Sequence, residues 1–338
     1  MGGSGVHWAL IGASRIAAGH MISAIRSIPG HDVKAVLSSD AARARSYADN
    51  HEIETASTDM EQILSDPDIG AVYISTTNDK HYPQAMAAIE AGKHVLCEKP
   101  LAMTLLEAVD MVRAAERAGL VFGTNHHLRN AGSHLAIRDL VSDGHIGKVL
   151  SMRVFHAVYL PEVLQGWRIN DASAGGGVIP DITVHDADTV RFHLGEDPSE
   201  VVAIATSSGM GQGVEDSVMS VWSMPSGVTV QTHESFTHAF AETGLEIHGT
   251  KGSIVARNVM TQRPIGEVWL QDADGRHAIP FSGHDLYARS MGEFDKALKG
   301  QGRPAADGVD GVKSFAVALA VREAAQTGRR TSVDYGGV

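Results

Sequence analysis

The 338-residue chain is predicted to fold as an α/β domain with a parallel sheet, followed by an α+β domain with an open, mainly antiparallel sheet. Short apolar strands alternate with helical spacing over the first 126 residues. Longer β-prone segments dominate after His126. A length of 338 also exceeds what one hydrophobic core usually serves. The expected domains are 1–126 and 127–338.

Each element has its own reason. Residues 8–11, Trp-Ala-Leu-Ile, form a short apolar strand that stops at Gly12. Residues 15–28 carry helical spacing until Pro29-Gly30 ends it. Strand over 33–37, helix over 41–51 and a shorter helical piece over 60–64 follow. Residues 71–75 are strand, and 84–91 are helix with Gly92 as its C-terminal stop. Then come strand 94–97, helix 104–118 closed by Gly119, and a strand opening at Val121-Phe122. This alternation, with both faces of each strand apolar, is the pattern of a Rossmann dinucleotide-binding domain. Beyond it, a helix over about 129–141 leads into β-prone segments at 149–158, 201–206, 217–222, 228–236, 245–248, 253–256 and 267–270. Helices over 286–298 and 311–327 close the chain, and no internal repeat is visible.

Composition narrows the function. The formal net charge of −12 disfavours a nucleic-acid or anionic-membrane partner, so an anionic ligand must be held by local positive groups. No 18-residue apolar stretch occurs. A single cysteine, Cys97, excludes an intramolecular disulfide and fits a reducing cytoplasm. Its expected role is that of a small buried hydrophobe. Met1-Gly2-Gly3-Ser4-Gly5 reads as a cloning remnant rather than a signal peptide.

The turn between the first strand and helix, Gly12-Ala13-Ser14-Arg15-Ile16-Ala17, occupies the place of a G-x-G-x-x-G loop but keeps only its first glycine. Gly12 permits the tight turn, and the helix start offers N–H groups to a pyrophosphate. Ser14 can donate its hydroxyl to phosphate, and Ala17 is small enough for helix-on-strand packing. At the end of the second strand an NAD site places Asp or Glu; here Ser38-Ser39 stand, with Arg43 one helical turn on. Hydroxyl and guanidinium suit a 2′-phosphate, so NADP(H) is expected. Asp40 is the counter-evidence, unless it caps the helix that follows.

Two further clusters carry chemistry. Glu98-Lys99-Pro100 ends an apolar strand, which puts an ammonium at the carboxyl edge of the sheet, with a cis Lys99–Pro100 bond expected. Asp181 and His185 lie four apart in a helical segment after Gly175-Gly176-Gly177. A carboxylate beside an imidazole orients it and favours its protonated form, which suits a general acid; a helix-surface ion pair is the plainer alternative. Trp167-Arg168 can form a stacking wall and clamp for a sugar, or Trp167 can simply pack beneath its loop. Asn125-His126-His127 ends a strand of the first domain and faces the cleft if the sheet runs as expected. No metal-ligand spacing is present, and no metal is expected.

Taken together, these residues resemble the glucose-fructose oxidoreductase / inositol dehydrogenase (Gfo/Idh/MocA) family, from Trp8 to about Asp334. The resemblance rests on Ile11–Ser14, Ser75-Thr76-Thr77-Asn78, Glu98-Lys99-Pro100, residues 123–130, 155–161, Gln165-Gly166-Trp167-Arg168 and residues 181–188. It implies NADPH-dependent reduction of the C2 carbonyl of 1,5-anhydro-D-fructose to 1,5-anhydro-D-mannitol. Another NAD(P)-dependent sugar or polyol dehydrogenase of the family is the alternative. By position, Lys99 would polarise the carbonyl, His185 donate the proton and Asp181 orient it, while Trp167, Arg168 and His127 would bound the sugar. The cofactor would be lined by Gly12, Ala13, Ser14, Arg15, Ile16, Ala17, Ser38, Ser39, Arg43, Ser75, Thr76, Thr77, Asn78, His81, Glu98, Lys99 and Asn125.

Overall fold

The structure is a computed structural model and describes residues 5–338; the expected cloning remnant therefore lies, Gly5 apart, outside the described residues. The chain divides into two compact units, and the division is not a single cut. One unit holds the chain up to His126 together with Tyr287–Gly311, and the other holds His127–Leu286 with Val312–Val338. The expected contiguous second domain, 127–338, is thereby corrected: a segment near its end belongs to the first unit.

The first unit is built on a six-stranded parallel sheet in the order β3-β2-β1-β4-β5-β6. These strands are β1 (His7–Ile11), β2 (Asp32–Leu37), β3 (Thr55–Ser57), β4 (Ile69–Ile74), β5 (His94–Cys97) and β6 (Phe122–Thr124). Trp8, Ala9, Leu10 and Ile11 are all fully buried, as a strand with neighbours on both sides and helices on both faces requires. The chain reverses its winding between β1 and β4, and open α/β sheets bind ligands beyond the strand ends at such a point. The helix expected over 15–28 contains a π-helical turn, Ala17–Met21, that runs into α1 (Ile22–Arg26). Then follow α2 (Ala41–His51), α3 (Met60–Leu64), α4 (Asn78–Glu90) and α5 (Leu105–Ala118). Start and stop of α5 are written in the sequence, by a Thr104/Glu107 capping box and by Gly119 at φ 65°.

The second unit carries a nine-stranded sheet in the order β14-β13-β12-β11-β7-β10-β9-β8-β15. Its strands are β7 (Val149–Ala157), β8 (Glu200–Thr206), β9 (Ser217–Ser223), β10 (Thr229–Ser235), β11 (Gly244–Gly249), β12 (Gly252–Arg257), β13 (Glu267–Asp272), β14 (Gly275–Ala278) and β15 (Thr331–Ser332). All pairings are antiparallel except β7 with β10, so the open, mainly antiparallel sheet is present. Val218, Ser220 and Trp222 are buried while Met219 and Val221 between them are exposed, the alternation of a sheet covered on one face. The helices of this unit are α6 (Gly132–Ser142), α7 (Trp167–Asn170) and α8 (Val184–Leu194), the last preceded by a π-helical turn, Ile179–Thr183.

The helices that close the chain are α9 (Leu286–Leu298) and α10 (Gly308–Thr327). The return of Tyr287–Gly311 completes the first unit's core. Phe294 packs on Trp8 with ring centroids 5.3 Å apart, and Asp295 meets His31 Nε2 at 3.2 Å. Since Trp8 Nε1–H donates to His31 Nδ1 at 3.1 Å, the imidazole proton sits on Nε2 and points to Asp295. At the end of β6, Thr124 donates its N–H to Ala306 and its hydroxyl to Asp307, both at 3.0 Å, which covers the edge of the sheet.

Candidate active site

The loop after β1 has the geometry of a nucleotide cradle. Gly12 takes φ +114°, and a Cβ there would lie 3.1 Å from the Ser75 carbonyl and the Thr76 methyl, so only glycine fits. Ser14 Oγ accepts the Ala17 N–H at 3.1 Å and lies 2.7 Å from Ser75 Oγ. Two hydroxyls carry two protons and their mutual bond uses one, so the pair keeps one to give a phosphate oxygen. Helix α2 holds this loop from its far side: Arg43 Nη2 donates to the Ala13 carbonyl at 2.6 Å and the Tyr47 hydroxyl to the Ser14 carbonyl at 2.9 Å. Burial pushes the Tyr47 phenol up to about 12, so it stays a donor. Asp40 caps α2, accepting the Arg43 N–H at 2.7 Å. Its carboxylate is thus spent on the helix start, which weakens it as a ribose ligand. Ser38 is buried and Ser39 exposed beside it. A glycine turn and paired hydroxyls at a helix start fit the pyrophosphate of a dinucleotide.

At the carboxyl edge of the same sheet, the Lys99–Pro100 bond is cis, as expected. Residues from three neighbouring strands converge just before it. Tyr73, near the end of β4, donates its hydroxyl to Glu98 Oε1 at 2.5 Å, and Asn125, just past β6, donates Nδ2–H to the same oxygen at 2.6 Å. Burial raises the Glu98 carboxyl, and these bonds oppose it. His81, expected at the cofactor, is fully buried with Nδ1 2.8 Å from the Pro100 carbonyl and Nε2 3.3 Å from that of Thr76. Its ring ties the Lys99–Pro100 turn to the Thr76 loop. Thr76 Oγ1 is likewise engaged, donating to Gln84 at 2.7 Å, while Thr77 precedes α4 and buried Asn78 begins it. Cys97 is buried, and burial drives its thiol pKa well up, as suits a hydrophobe and not a nucleophile.

In the second unit the π-helical turn and α8 present Asp181 and His185. His185 meets His127 edge-on, ring centroids 4.8 Å apart, and both rings are largely buried. Asp181 Oδ2 lies 3.5 Å from Arg168 Nε, an ion pair the spacing did not reveal. The Arg168 guanidinium also stacks over Trp167, 4.6 Å from its ring centre. Trp167, Arg168 and Asp181 therefore form one polar-aromatic group.

Beneath His185, α8 turns its other residues into a dry polar cluster. Asp188 takes a buried bidentate pair from Arg129, its Oδ2 2.9 Å from Nε. Asp186 Oδ1 is hydrogen-bonded to His156 Nδ1 at 2.8 Å. Asp186 and Glu234 are both fully buried, and burial drives both pKa values well up; with both acids in the same dry region, the protonated form is favoured. His134 Nε2 reaches the Val259 carbonyl and its Nδ1 lies 3.1 Å from His193 Nε2. Burial lowers His134 to about 4, so this pair is neutral. Among the described residues no group of three or more His, Cys, Asp or Glu is placed to hold a metal ion, and no helix is long and apolar enough to cross a membrane.

Sequence reasoning missed Tyr47, Tyr73 and the buried acids. Tyr47 had a signal, one helical turn from Arg43 on the same face of α2. Tyr73, Asp186 and Glu234 had none, because their partners lie on other elements.

Comparison with known proteins agrees with this architecture. Residues 6–126 match the model of an oxidoreductase family with an NAD-binding Rossmann fold, and residues 134–255 match the GFO/IDH/MocA C-terminal domain. The chain is 54% identical to a 1,5-anhydro-D-fructose reductase of Ensifer adhaerens, over 97% of this chain and 99% of that protein. Its fold is similar to that of an aldose-aldose oxidoreductase from Caulobacter crescentus, with TM-score 0.89, 24% identity and coverage of 97% and 99%. It is also similar to a levoglucosan dehydrogenase solved with NADH and L-sorbose, with TM-score 0.88, 24% identity and coverage of 98% and 100%. Matched over both domains, and by a relative along nearly its whole length, the chain belongs to the GFO/IDH/MocA family of oxidoreductases.

Proposed function

We propose that this protein reduces the C2 carbonyl of 1,5-anhydro-D-fructose to 1,5-anhydro-D-mannitol, with NADPH as reductant. The observation that carries the substrate is the 54% identity to a 1,5-anhydro-D-fructose reductase along almost the full length of both chains. The preference for NADPH rests on the end of β2, where Ser38 and Ser39 replace an acid, Asp40 is a helix cap and Arg43 stands beside the Gly12–Ala17 loop.

When bound, NADPH supplies the hydride that arrives at the carbonyl carbon. Charge then builds on the oxygen, and the chain's own groups answer it. The Lys99 ammonium stabilises the developing oxyanion, and His185, as imidazolium, hands its proton to that oxygen. Asp181, shared with Arg168, orients and charges the imidazole. Trp167 and Arg168 bound the sugar, the ring offering a face and the guanidinium its donors. Ser14, Ser75 and Arg43 would hold the phosphates, Gly12 would let them approach, and buried Ala17 lets the helix pack on the strand.

The test is a panel in which NADPH oxidation is followed with carbonyl sugars and NADP⁺ reduction with polyols and aldoses. The expected result is turnover highest with NADPH and 1,5-anhydro-D-fructose, with 1,5-anhydro-D-mannitol as product. Faster turnover of a polyol or aldose with NADP⁺ would replace this reading by that of a sugar or polyol dehydrogenase.

A further inference from the structure

Three strand ends of the parallel sheet place polar side chains on one atom. Tyr73 and Asn125 both donate to Glu98 Oε1, at 2.5 and 2.6 Å, and Asn125 Nδ2 is 3.5 Å from the Tyr73 hydroxyl. The backbone ties the same corner: Glu98 N–H donates to the Ile74 carbonyl at 2.9 Å and Asn125 N–H to the Cys97 carbonyl at 2.8 Å. Tyr73 is fully buried and Asn125 nearly so. An interior strand position with a phenol instead of a phenyl ring burdens the core with a polar atom, and Glu98 is the acceptor that satisfies it. A carboxylate can only accept, so Glu98 also fixes which way the Asn125 amide points.

We infer that Tyr73 is a positioning residue for the reaction: with Asn125 it clamps the Glu98 carboxylate in its ionised form, and that clamped charge sets the place and field of the adjoining Lys99. The inference rests on the proposed reductase reading, because Lys99 matters only if a carbonyl oxygen gains charge beside it. A negative carboxylate one residue from the ammonium steadies it, and a neutral one does not. Other groups bear on the same carboxyl. Burial raises it, and the two donors with the Lys99 charge and N–H lower it; Cys97 lies beside it on β5, while Tyr287 (stacked on His20, centroids 4.5 Å apart) bears on the Tyr73 phenol. Removing one donor therefore shifts the balance toward the neutral acid, and activity that needs the carboxylate fades at a higher pH than before.

The test is the pH dependence of kcat and KM for NADPH-driven reduction in wild type, Tyr73→Phe and Glu98→Gln, with folding followed by circular dichroism. Tyr73→Phe keeps the ring and loses only the hydroxyl. Its kcat is expected to fall on the order of tenfold, as for one lost hydrogen bond to a charged group, with KM for the sugar little changed. Its acid limb should move to higher pH, and Glu98→Gln should lack that limb at every pH while remaining slow. A Tyr73→Phe enzyme with the wild-type limb overturns the inference, whether its kcat is normal or merely reduced, since a packing role would leave the limb in place. If Tyr73→Phe does not fold, a Glu98→Gln enzyme that keeps wild-type kcat and limb overturns it equally. Failure of the underlying reading looks different: wild type itself would then oxidise no NADPH with any carbonyl sugar.

Discussion

The carboxyl edge of the first sheet and the helix-covered face of the second hold their polar groups in contrasting ways. Around Gly12 the devices are mostly neutral: a positive φ, two hydroxyls, a helix start and donors from α2 onto the carbonyls of Ala13 and Ser14. Beneath His185 they are acids buried away from water and held by basic side chains, Arg129 on Asp188 and His156 on Asp186. The first arrangement can open to a ligand, since its groups keep capacity to bond outward. The second cannot afford that, because an ion taken from water and stripped of its partner costs several kcal/mol. On the proposed function, the difference separates a binding loop from the support beneath the proton donor.

The contrast should be sharpest in stability. Arg129→Ala leaves Asp188 buried with its main partner gone, and a loss on the order of 3–5 kcal/mol in denaturant unfolding is expected. A loss below about 1 kcal/mol would put this pair with surface ion pairs and erase the contrast.

In the loop the corresponding change should act on ligand and spare the fold. Arg43→Ala is expected to weaken NADPH binding by on the order of 2 kcal/mol, with a smaller loss for NADH from the freed Ala13 carbonyl. Titration of both cofactors checks this. Equal losses would make Arg43 a loop clamp and move the 2′-phosphate site elsewhere.

A smaller and pH-dependent effect should follow from the buried acids. Asp186 and Glu234 have folded pKa values raised by burial, so the native state binds more protons than the unfolded one. Their contribution is fully present below the unfolded carboxyl values and is lost as pH rises toward the folded ones. Glu234→Gln replaces an ionising group by an amide and should flatten that fall, gaining about 1 kcal/mol over wild type on the alkaline side. Thermal unfolding across pH measures it; an unchanged slope would mean the pair carries no extra proton.

How much of this was legible in the sequence follows the same contrast. Gly12, Ser14, Lys99 and the Asp181–His185 spacing announce themselves, because their meaning depends on neighbours a few residues away. The alternation of strands and helices that makes the first sheet parallel follows from the same local periods. What stayed hidden depends on contacts between distant residues: Phe294 and Asp295 returning to Trp8 and His31, Arg168 meeting Asp181, and Glu234 and His156 closing on Asp186. Nothing in Glu234 as a residue of a β-prone run distinguishes it from an exposed charge until register sets it opposite His156.

The central claim is that His185 gives the proton while Lys99 acts only by charge, and the pH–rate profile of sugar reduction tests it directly. In wild type the rate should fall as pH rises and the imidazolium deprotonates. His185→Ala should lose that alkaline limb and on the order of 10²–10⁴ in turnover, whereas Lys99→Ala should be slower with the limb intact. A His185→Ala enzyme that keeps the limb, beside a Lys99→Ala enzyme that has lost it, would contradict the account and make Lys99 the acid.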